Sequence, residues 1–523
     1  MNTDNTIRVC VPICAENLGA LARVSARAVG LGELVELRLD CLDPEEFAGF
    51  SGSYEELIGR VSQEVILTLR TREQGGQRGF SEEERLAFWT DQFKSAHRAW
   101  FDLEFDLVHT LLDIGLPAVD WSRVICSHHD FDGVPVNIEE IYERMVSTPA
   151  RVVKIAVFAH DVADCLPVFR LLERGRREGR EMIAIAMGNA GIVTRVLGPS
   201  RGAFLTYGAH VSEGATAPGQ ITAHDLRSVY RLDAIDEDTT ITGLVGLPVM
   251  HSVSPQMHNA AFAAGGLNGV YLPFEVRDLA SFFGRMVQPH TRELDWHLRG
   301  LSITAPHKSL VMDFLHWIEP RASEIGAVNT VVVEGDRLLG YNTDADGMVM
   351  PLFRKIGSLK DSRVAVIGAG GAAKAAVWAL RKNGAAVSVF ARSPKNSQLL
   401  AERMGASSGE LASASFRDYD VVINTTPLGS NGPSIAQSPA TAEQLHGARL
   451  VYDLVYNPSE TQFLREGRKA GCEILGGLEM LVAQAVMQFE LWTGKTPSSA
   501  IMTEAAINKL TQSPHSSTQS EVR

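Results

Sequence analysis

Lys154 stands inside an otherwise apolar run, VVKIAVF at 152 to 158. Strand alternation puts it on an inner face, where a charged ammonium is costly to bury. Desolvation and neighbouring cations lower a lysine's pKa from about 10.4, and the neutral amine can then attack a ketone. The iminium that results draws electrons and acidifies the adjacent carbon. Close by in sequence, SHHD at 127 to 130 offers an imidazole, of His128 or His129, as a general base and Asp130 as a carboxylate that could orient it. Arg38, Arg70 and Arg195 add guanidinium forks that suit a substrate carboxylate. Taken singly, a salt-bridged lysine and structural arginine pairs are the alternatives that these residues leave open.

A second cluster lies in the other half of the chain. SITAPHK at 302 to 308 brings Lys308 and YNTDADG at 341 to 347 brings Asp344. A carbonyl reduced by hydride develops negative charge on oxygen; an ammonium stabilises it and delivers a proton, while a carboxylate holds the lysine and a substrate hydroxyl. No metal is required for this. RVAVIGAGGAAK at 363 to 374 reads as a buried strand, a glycine turn and a helix start, with Gly368, Ala369, Gly370, Gly371, Ala372 and Ala373 forming the loop that a pyrophosphate would approach. The next strand, VSVFARS, ends in Ala391, Arg392 and Ser393 where NAD-preferring folds carry an acid, so a cation can meet a 2′-phosphate and NADPH is the expected cofactor. A surface Lys/Asp salt bridge and an ordinary strand-turn-helix joint are the plainer readings.

These groups need elements to carry them. From residue 7 to about 210, eight β-rich runs recur between amphipathic stretches: IRVCVPI, LVELRLD, EVILTLR, WFDLEF, RVICSHHD, RVVKIAVF, EMIAIAM and FLTYG. That succession predicts a (β/α)8 barrel, and polar residues crowd the ends of its runs, namely Glu36, Arg38, Asp40, Arg70, Glu104, His128, His129 and Lys154. RLDAIDEDTT at 231 to 240 lacks apolar periodicity and marks a boundary. The expected division is a barrel over 1–233, a second domain over 240–345, a nucleotide-binding domain over 346–480, a further segment over 481–510, and a disordered polar tail over 511–523.

The bulk composition agrees with several globular cores: 523 residues, 45% hydrophobic and 21% charged. A net charge of −13 and a pI near 5.6 argue against a nucleic-acid partner. The six cysteines are scattered without CxxC or zinc spacing, which predicts reduced thiols. With neither a signal-like N-terminus nor an 18-residue apolar run, the expectation is a cytoplasmic protein away from membranes.

VELRLD, LRTREQGG, FDLE at 101 to 104, SHHDF at 127 to 131, VKIAV at 153 to 157 and TAPGQI at 216 to 221 together resemble the type I 3-dehydroquinate dehydratases over residues 5 to 230. The resemblance implies a TIM barrel with Lys154 as Schiff-base lysine, His129 as general acid/base, and Glu36, Arg38, Arg70, Arg195, Thr216 and Gln220 as substrate contacts. The family usually has Glu before its Gly-Gly pair. Here Gln74 precedes Gly75 and Gly76 and the acid is displaced to Glu73, so either Glu73 swings in or the neutral amide suffices. Thr216 stands where many members have Ser and keeps the hydroxyl.

The segments GLPVMHSVSPQMHN, SITAPHK, GAVNT, YNTDADG, NTTPLG, DLVYNP and GGLEMLVAQA resemble shikimate dehydrogenase over residues 240 to 508. That resemblance implies a substrate domain followed by a Rossmann NADP-binding domain. It implies Ser252, Ser254, Thr304, Asn329, Tyr456 and Gln484 as substrate contacts, Lys308 and Asp344 as proton carriers, and Thr425 and Gly477 on the cofactor. Both serines of HSxSP favour shikimate over quinate. Ser302 gives the SxTxPHK form of plant-type fusions, and ARS differs from the usual NRT.

Together these imply an α/β bifunctional enzyme that dehydrates 3-dehydroquinate and reduces 3-dehydroshikimate to shikimate with NADPH; a monomer is the expected state, because a fused second domain limits barrel dimerisation. Two rival readings keep the folds: a Schiff-base aldolase fused to a quinate dehydrogenase, and a non-catalytic quinate-responsive regulator.

Overall fold

The computed structural model describes residues 7–512 except 60, 96–97, 117–118, 212–215 and 218. The chain forms two compact units.

The first unit holds eight parallel strands: β1 (Val9–Cys14), β2 (Leu34–Arg38), β3 (Glu64–Thr68), β4 (Trp100–Glu104), β5 (Val124–Asp130), β6 (Val152–Phe158), β7 (Glu181–Met187) and β8 (Thr206–Tyr207). Their order is β7-β6-β5-β4-β3-β2-β1-β8. The ring is completed where the Phe204 N–H donates to the Met182 carbonyl at 2.7 Å. Each of the eight sequence runs therefore supplies one stave of a (β/α)8 barrel.

Side chains alternate along a strand, so every second residue enters the barrel. The lowest inner layer is apolar and buried: Leu34, Ile66, Trp100, Ile125, Val152 and Ile183. Two residues further along the same strands come Glu36, Thr68, Asp102, Ser127, Lys154 and Ile185. Two further still come Arg38, Arg70, Glu104, His129, Ala156 and Met187. The interior thus turns from hydrocarbon to charge within one pleat, at the strand ends where a barrel places its chemistry. The outer helices bury one stripe each. In Cys165–Glu178 that stripe is Cys165, Leu166, Val168, Phe169, Leu171, Leu172 and Gly175, and the helix stops at Gly179 with φ 66°.

The expectation of six reduced cysteines is corrected. Cys14 and Cys41 form a disulfide with Cα atoms 5.5 Å apart, while Cys10, Cys126, Cys165 and Cys472 are buried free thiols. Their separation of 27 residues matches no short motif. Pairing of β1 with β2 puts Cys14 opposite Arg38, and the turn Leu39–Cys41 brings the second sulfur back to it.

Leu272–Val287 and Thr291–His297 also group with this unit, which a division at 240 does not foresee. The Asp161 carboxylate accepts the backbone N–H groups of Arg277 and Asp278 at 2.5 and 3.1 Å, and Arg277 Nε donates to the His160 carbonyl.

Beyond the barrel the chain builds two six-stranded sheets. One is mixed, with β9 (Thr240–Gly246), β10 (Gly269–Glu275), β11 (Leu298–Ile303), β12 (Trp317–Ile318), β13 (Thr330–Glu334) and β14 (Arg337–Tyr341) in the order β10-β9-β11-β13-β14-β12. The other is wholly parallel, with β15 (Arg363–Ile367), β16 (Ala386–Ala391), β17 (Ser407–Glu410), β18 (Val421–Asn424), β19 (Leu450–Asp453) and β20 (Glu473–Leu475) in the order β17-β16-β15-β18-β19-β20. In that doubly wound order the topological switch falls between β15 and β18, and a crevice opens there at the strand ends. The last helices are Leu478–Thr493 and Ser499–Gln512. The first packs on the mixed sheet: Trp492 Nε1 donates to the Val331 carbonyl at 3.0 Å and fills the space beside Gly300, where a Cβ would lie 2.0 Å from it. Residues 511 and 512, assigned to a disordered tail from sequence, continue the final helix; 513–523 lie outside the described residues. Among the described residues no helix is long and apolar enough to cross a membrane.

Candidate active sites

At the barrel's strand ends Lys154 is buried. Its Nζ donates to Asp102 Oδ2 at 2.7 Å and to the Tyr207 hydroxyl at 3.1 Å, with Glu36 Oε1 at 3.8 Å. The sequence reading surrounds this lysine with cations; its nearest charged neighbours are carboxylates. Arg70 is drawn off to Asp102 Oδ1 at 2.7 Å and Ser127 Oγ at 2.8 Å. Arg38 is chelated by Asp40 at 2.9 and 2.8 Å. Burial pushes the Asp102 carboxyl up, but Arg70 and Lys154 outweigh it and hold the group well below the usual carboxylate range. It is therefore an anion that both cations share.

His129 lines the same cavity, which Glu36, Arg38, Arg70, Arg195, Thr216 and Gln220 also line. Burial, then the charges of Arg70 and Lys154, push the His129 imidazole well below its ordinary pKa, so the ring is neutral near pH 7. Gln74 Oε1 accepts the His129 backbone N–H at 3.1 Å and lies 3.3 Å from Nδ1. The neutral amide, not Glu73, stands beside His129; Glu73 is exposed. Gly75, at φ 85°, lets Phe131 close over the site, since a Cβ there would lie 2.1 Å from the ring. His128 is one residue out of phase and does not line the cavity.

Arg195 is buried at 2% exposure, and among the described residues no carboxylate pairs with it. Burial alone lowers its guanidinium to about 10. A buried cation without a counter-ion is costly unless an anion arrives. Thr216 and Gln220 face each other across the rim, with the Thr216 N–H donating to Gln220 Oε1 at 2.9 Å.

In the second unit a cavity of about 460 Å³ is lined by Ser252, Ser254, Thr304, Lys308, Asn329, Asp344, Tyr456 and Gln484. All eight residues read from sequence as substrate or proton groups of the second site meet there. Lys308 Nζ lies 2.6 Å from Asp344 Oδ2, while Asp344 Oδ1 accepts from Asn329 Nδ2 at 2.8 Å. Ser252 Oγ donates to Ser254 Oγ at 3.0 Å. Cofactor candidates Ala372 and Gly477 line the same cavity.

The loop after β15 fits a dinucleotide. Gly368 adopts φ 130°, and a Cβ there would lie 2.2 Å from Thr425 Oγ1, so only glycine lets the β15 and β18 loops approach. Gly370 begins the helix Gly371–Lys382 without a side-chain cap, and a Cβ on it would meet nothing within 4 Å. The first-turn N–H groups are thus free to bind phosphate oxygens. Ala369 and Gly371 complete the turn, and Ala373 is buried against the sheet. At the end of β16, Ala391 is buried, Ser393 half-buried and Arg392 exposed, with no carboxylate paired to Arg392 among the described residues.

Family models match the chain in this same order. Type I 3-dehydroquinase matches residues 9–237, the shikimate dehydrogenase substrate binding domain 244–331, shikimate / quinate 5-dehydrogenase 352–454, and the shikimate 5'-dehydrogenase C-terminal domain 477–507. The bifunctional 3-dehydroquinate dehydratase/shikimate dehydrogenase, chloroplastic, of Arabidopsis thaliana is 32% identical over 519 residues, covering 94% of this chain and 82% of its own. The chain belongs to the bifunctional 3-dehydroquinate dehydratase/shikimate dehydrogenase family. A shikimate dehydrogenase (NADP(+)) of Moorella thermoacetica is 40% identical over 284 residues, 51% of this chain and 92% of its own. A crystal structure of a shikimate dehydrogenase in complex with NADP+ superposes with a TM-score of 0.50 at 36% identity, covering 53% of this chain and 97% of the other.

In this family member three participants escaped the sequence reading as site residues. Asp102 and Tyr207, the hydrogen-bond partners of Lys154, come from strands 52 and 53 positions away. Gln488 joins the second cavity from the C-terminal helix, accepting from Ser302 Oγ at 2.7 Å. Strand phase could have found Asp102, since it shares the inward face of WFDLE with Glu104. Nothing local marks Gln488.

Proposed function

We propose that Lys154 carries the dehydratase step and the Lys308/Asp344 pair the proton chemistry of the reductase. The observation that carries the first assignment is Lys154 buried against Asp102 in one cavity with a neutral His129 and an Arg195 that no carboxylate pairs among the described residues. Arg195 takes the carboxylate of 3-dehydroquinate, with Arg38, Thr216 and Gln220 on its hydroxyl side. The Lys154 amine adds to the C3 carbonyl and water leaves, giving an iminium. His129 removes a C2 proton, and the C–H electron pair flows toward nitrogen. As those electrons return, the C1 hydroxyl departs as water with the proton that His129 holds. Hydrolysis of the imine frees 3-dehydroshikimate and restores the amine. Asp102 keeps the lysine aimed at C3 and balances the iminium charge. Borohydride added during turnover should leave a reduced adduct on the tryptic peptide bearing Lys154; an unlabelled Lys154 in an active preparation would rule the imine out.

In the second cavity Ser252, Ser254, Thr304, Asn329, Tyr456 and Gln484 bind and orient 3-dehydroshikimate beside the Lys308/Asp344 pair. NADPH, held at Gly368 to Ala373, Thr425 and Gly477 with its 2′-phosphate on Arg392 and Ser393, supplies the hydride when bound. Lys308 stabilises the growing alkoxide and delivers its proton, and Asp344 holds the ammonium in place. The cavity accommodates one small ring acid beside the cofactor loop. Boundaries near 233–240 and 345–346, with helices from 481 returning to the substrate domain, remain our division of the chain. We place the enzyme in the cytoplasm as a monomer acting on small molecules, without nucleic-acid or membrane partners; its net charge of −13 supports this.

A further inference from the structure

Strands β18 and β19 run side by side and set Asn424 opposite Asp453 at the end of their shared register. Both side chains are fully buried, and Asn424 Nδ2 donates to Asp453 Oδ1 at 2.9 Å. The neighbouring strands β15 and β16 end instead on Ile367 and Ala391. Beyond the polar pair the two loops diverge. Asn424 Oδ1 accepts the N–H and hydroxyl of Thr426 at 2.9 and 2.7 Å, fixing the loop that carries Thr425. Asp453 Oδ1 accepts the Val455 N–H at 3.0 Å and Oδ2 accepts the Thr461 hydroxyl at 2.5 Å, fixing both ends of the loop that carries Tyr456. Tyr456 in turn lines the substrate cavity together with Ser252.

A buried carboxylate is costly, and burial pushes Asp453 up to about 6 against the pull of Thr461, Val455 and Asn424. Its partners come from three separate points of the chain, and it does not itself line the substrate cavity. We propose that Asp453 is a positioning residue that braces the cofactor-side loop and the substrate-side loop against each other, so that both ligands lose their seats when it is removed. This rests on the reading of Thr425 as a cofactor contact and Tyr456 as a substrate contact.

The full-length chain tests it through shikimate oxidation by NADP+, with dehydration of 3-dehydroquinate followed in the same preparations. Asp453→Ala should raise the KM for shikimate and for NADP+ by about tenfold each, with kcat falling less and dehydratase activity unchanged. Thr461→Val, which removes the hydroxyl bonded to Asp453 Oδ2 and with it the cap on the Leu464 N–H, should raise the KM for shikimate alone, and Thr461→Ser, which keeps both bonds, should restore it. Wild-type KM values in Asp453→Ala, or equal increases for both ligands in Thr461→Val, would overturn the brace. If Asp453→Ala does not fold, the Thr461 variants decide: a wild-type shikimate KM in Thr461→Val overturns it. A wild-type chain that oxidises no shikimate would instead overturn the assigned function.

Discussion

Gln74 turns its side-chain oxygen onto the backbone N–H of His129 at 3.1 Å and stands 3.3 Å from Nδ1 of the same ring. A neutral acceptor there favours a proton on Nδ1 and leaves Nε2 as the basic nitrogen, without adding the negative charge that would stabilise imidazolium. Burial and the nearby cations then keep the ring neutral.

Replacing this amide by a carboxylate reverses that balance. In Gln74→Glu the new anion raises the His129 pKa, so the ring stays protonated, and useless as a base, to higher pH. The acid limb of dehydratase kcat/KM should move up by about one pH unit. A pH–rate profile of the two proteins checks this, and superimposable limbs would show that His129 does not feel position 74.

Among the described residues no carboxylate pairs with the buried Arg195 guanidinium. Arg195→Met removes the buried cation while keeping an unbranched chain. The KM for 3-dehydroquinate should rise by about 100-fold, while thermal unfolding of the free protein moves to higher temperature because a buried charge is gone. Paired kinetics and melting curves measure both, and a variant with unchanged KM would remove Arg195 from the substrate's carboxylate.

The dehydrogenase pair should fail independently of the barrel. Lys308→Ala should lower kcat for 3-dehydroshikimate reduction by about 100- to 1,000-fold and leave dehydration at the wild-type rate. Separate assays on one preparation read both activities.

Arg392→Ala tests the nucleotide preference. Loss of a charge-assisted contact to the 2′-phosphate should cut kcat/KM for NADPH by about tenfold or more, with the NADH value held. The ratio of the two cofactors is the readout.

Much of the placement was legible from sequence because the candidate residues lie on strands. An ionisable residue in an apolar run, such as Lys154 in VVKIAVF, announces its inward phase, and Arg38, Arg70 and His129 follow from the same period. Loop residues with a steric requirement, such as Gly368, were legible too. What strand phase does not reveal is which inner side chains meet. Asp102 neutralises Arg70 and holds Lys154 through contacts across the barrel, so the cationic surroundings expected for the lysine became an anionic ledge. The Cys14–Cys41 disulfide was hidden for a similar reason, being created by the pairing of β1 with β2 and a single turn.

The most direct test of the whole account gives the purified chain 3-dehydroquinate and NADPH together and follows cofactor oxidation and product. Oxidation of NADPH with shikimate as the product, abolished from 3-dehydroquinate but retained from 3-dehydroshikimate in Lys154→Ala, is the predicted result. Undiminished oxidation from 3-dehydroquinate in Lys154→Ala, or no oxidation by the wild-type chain from either substrate, would contradict it.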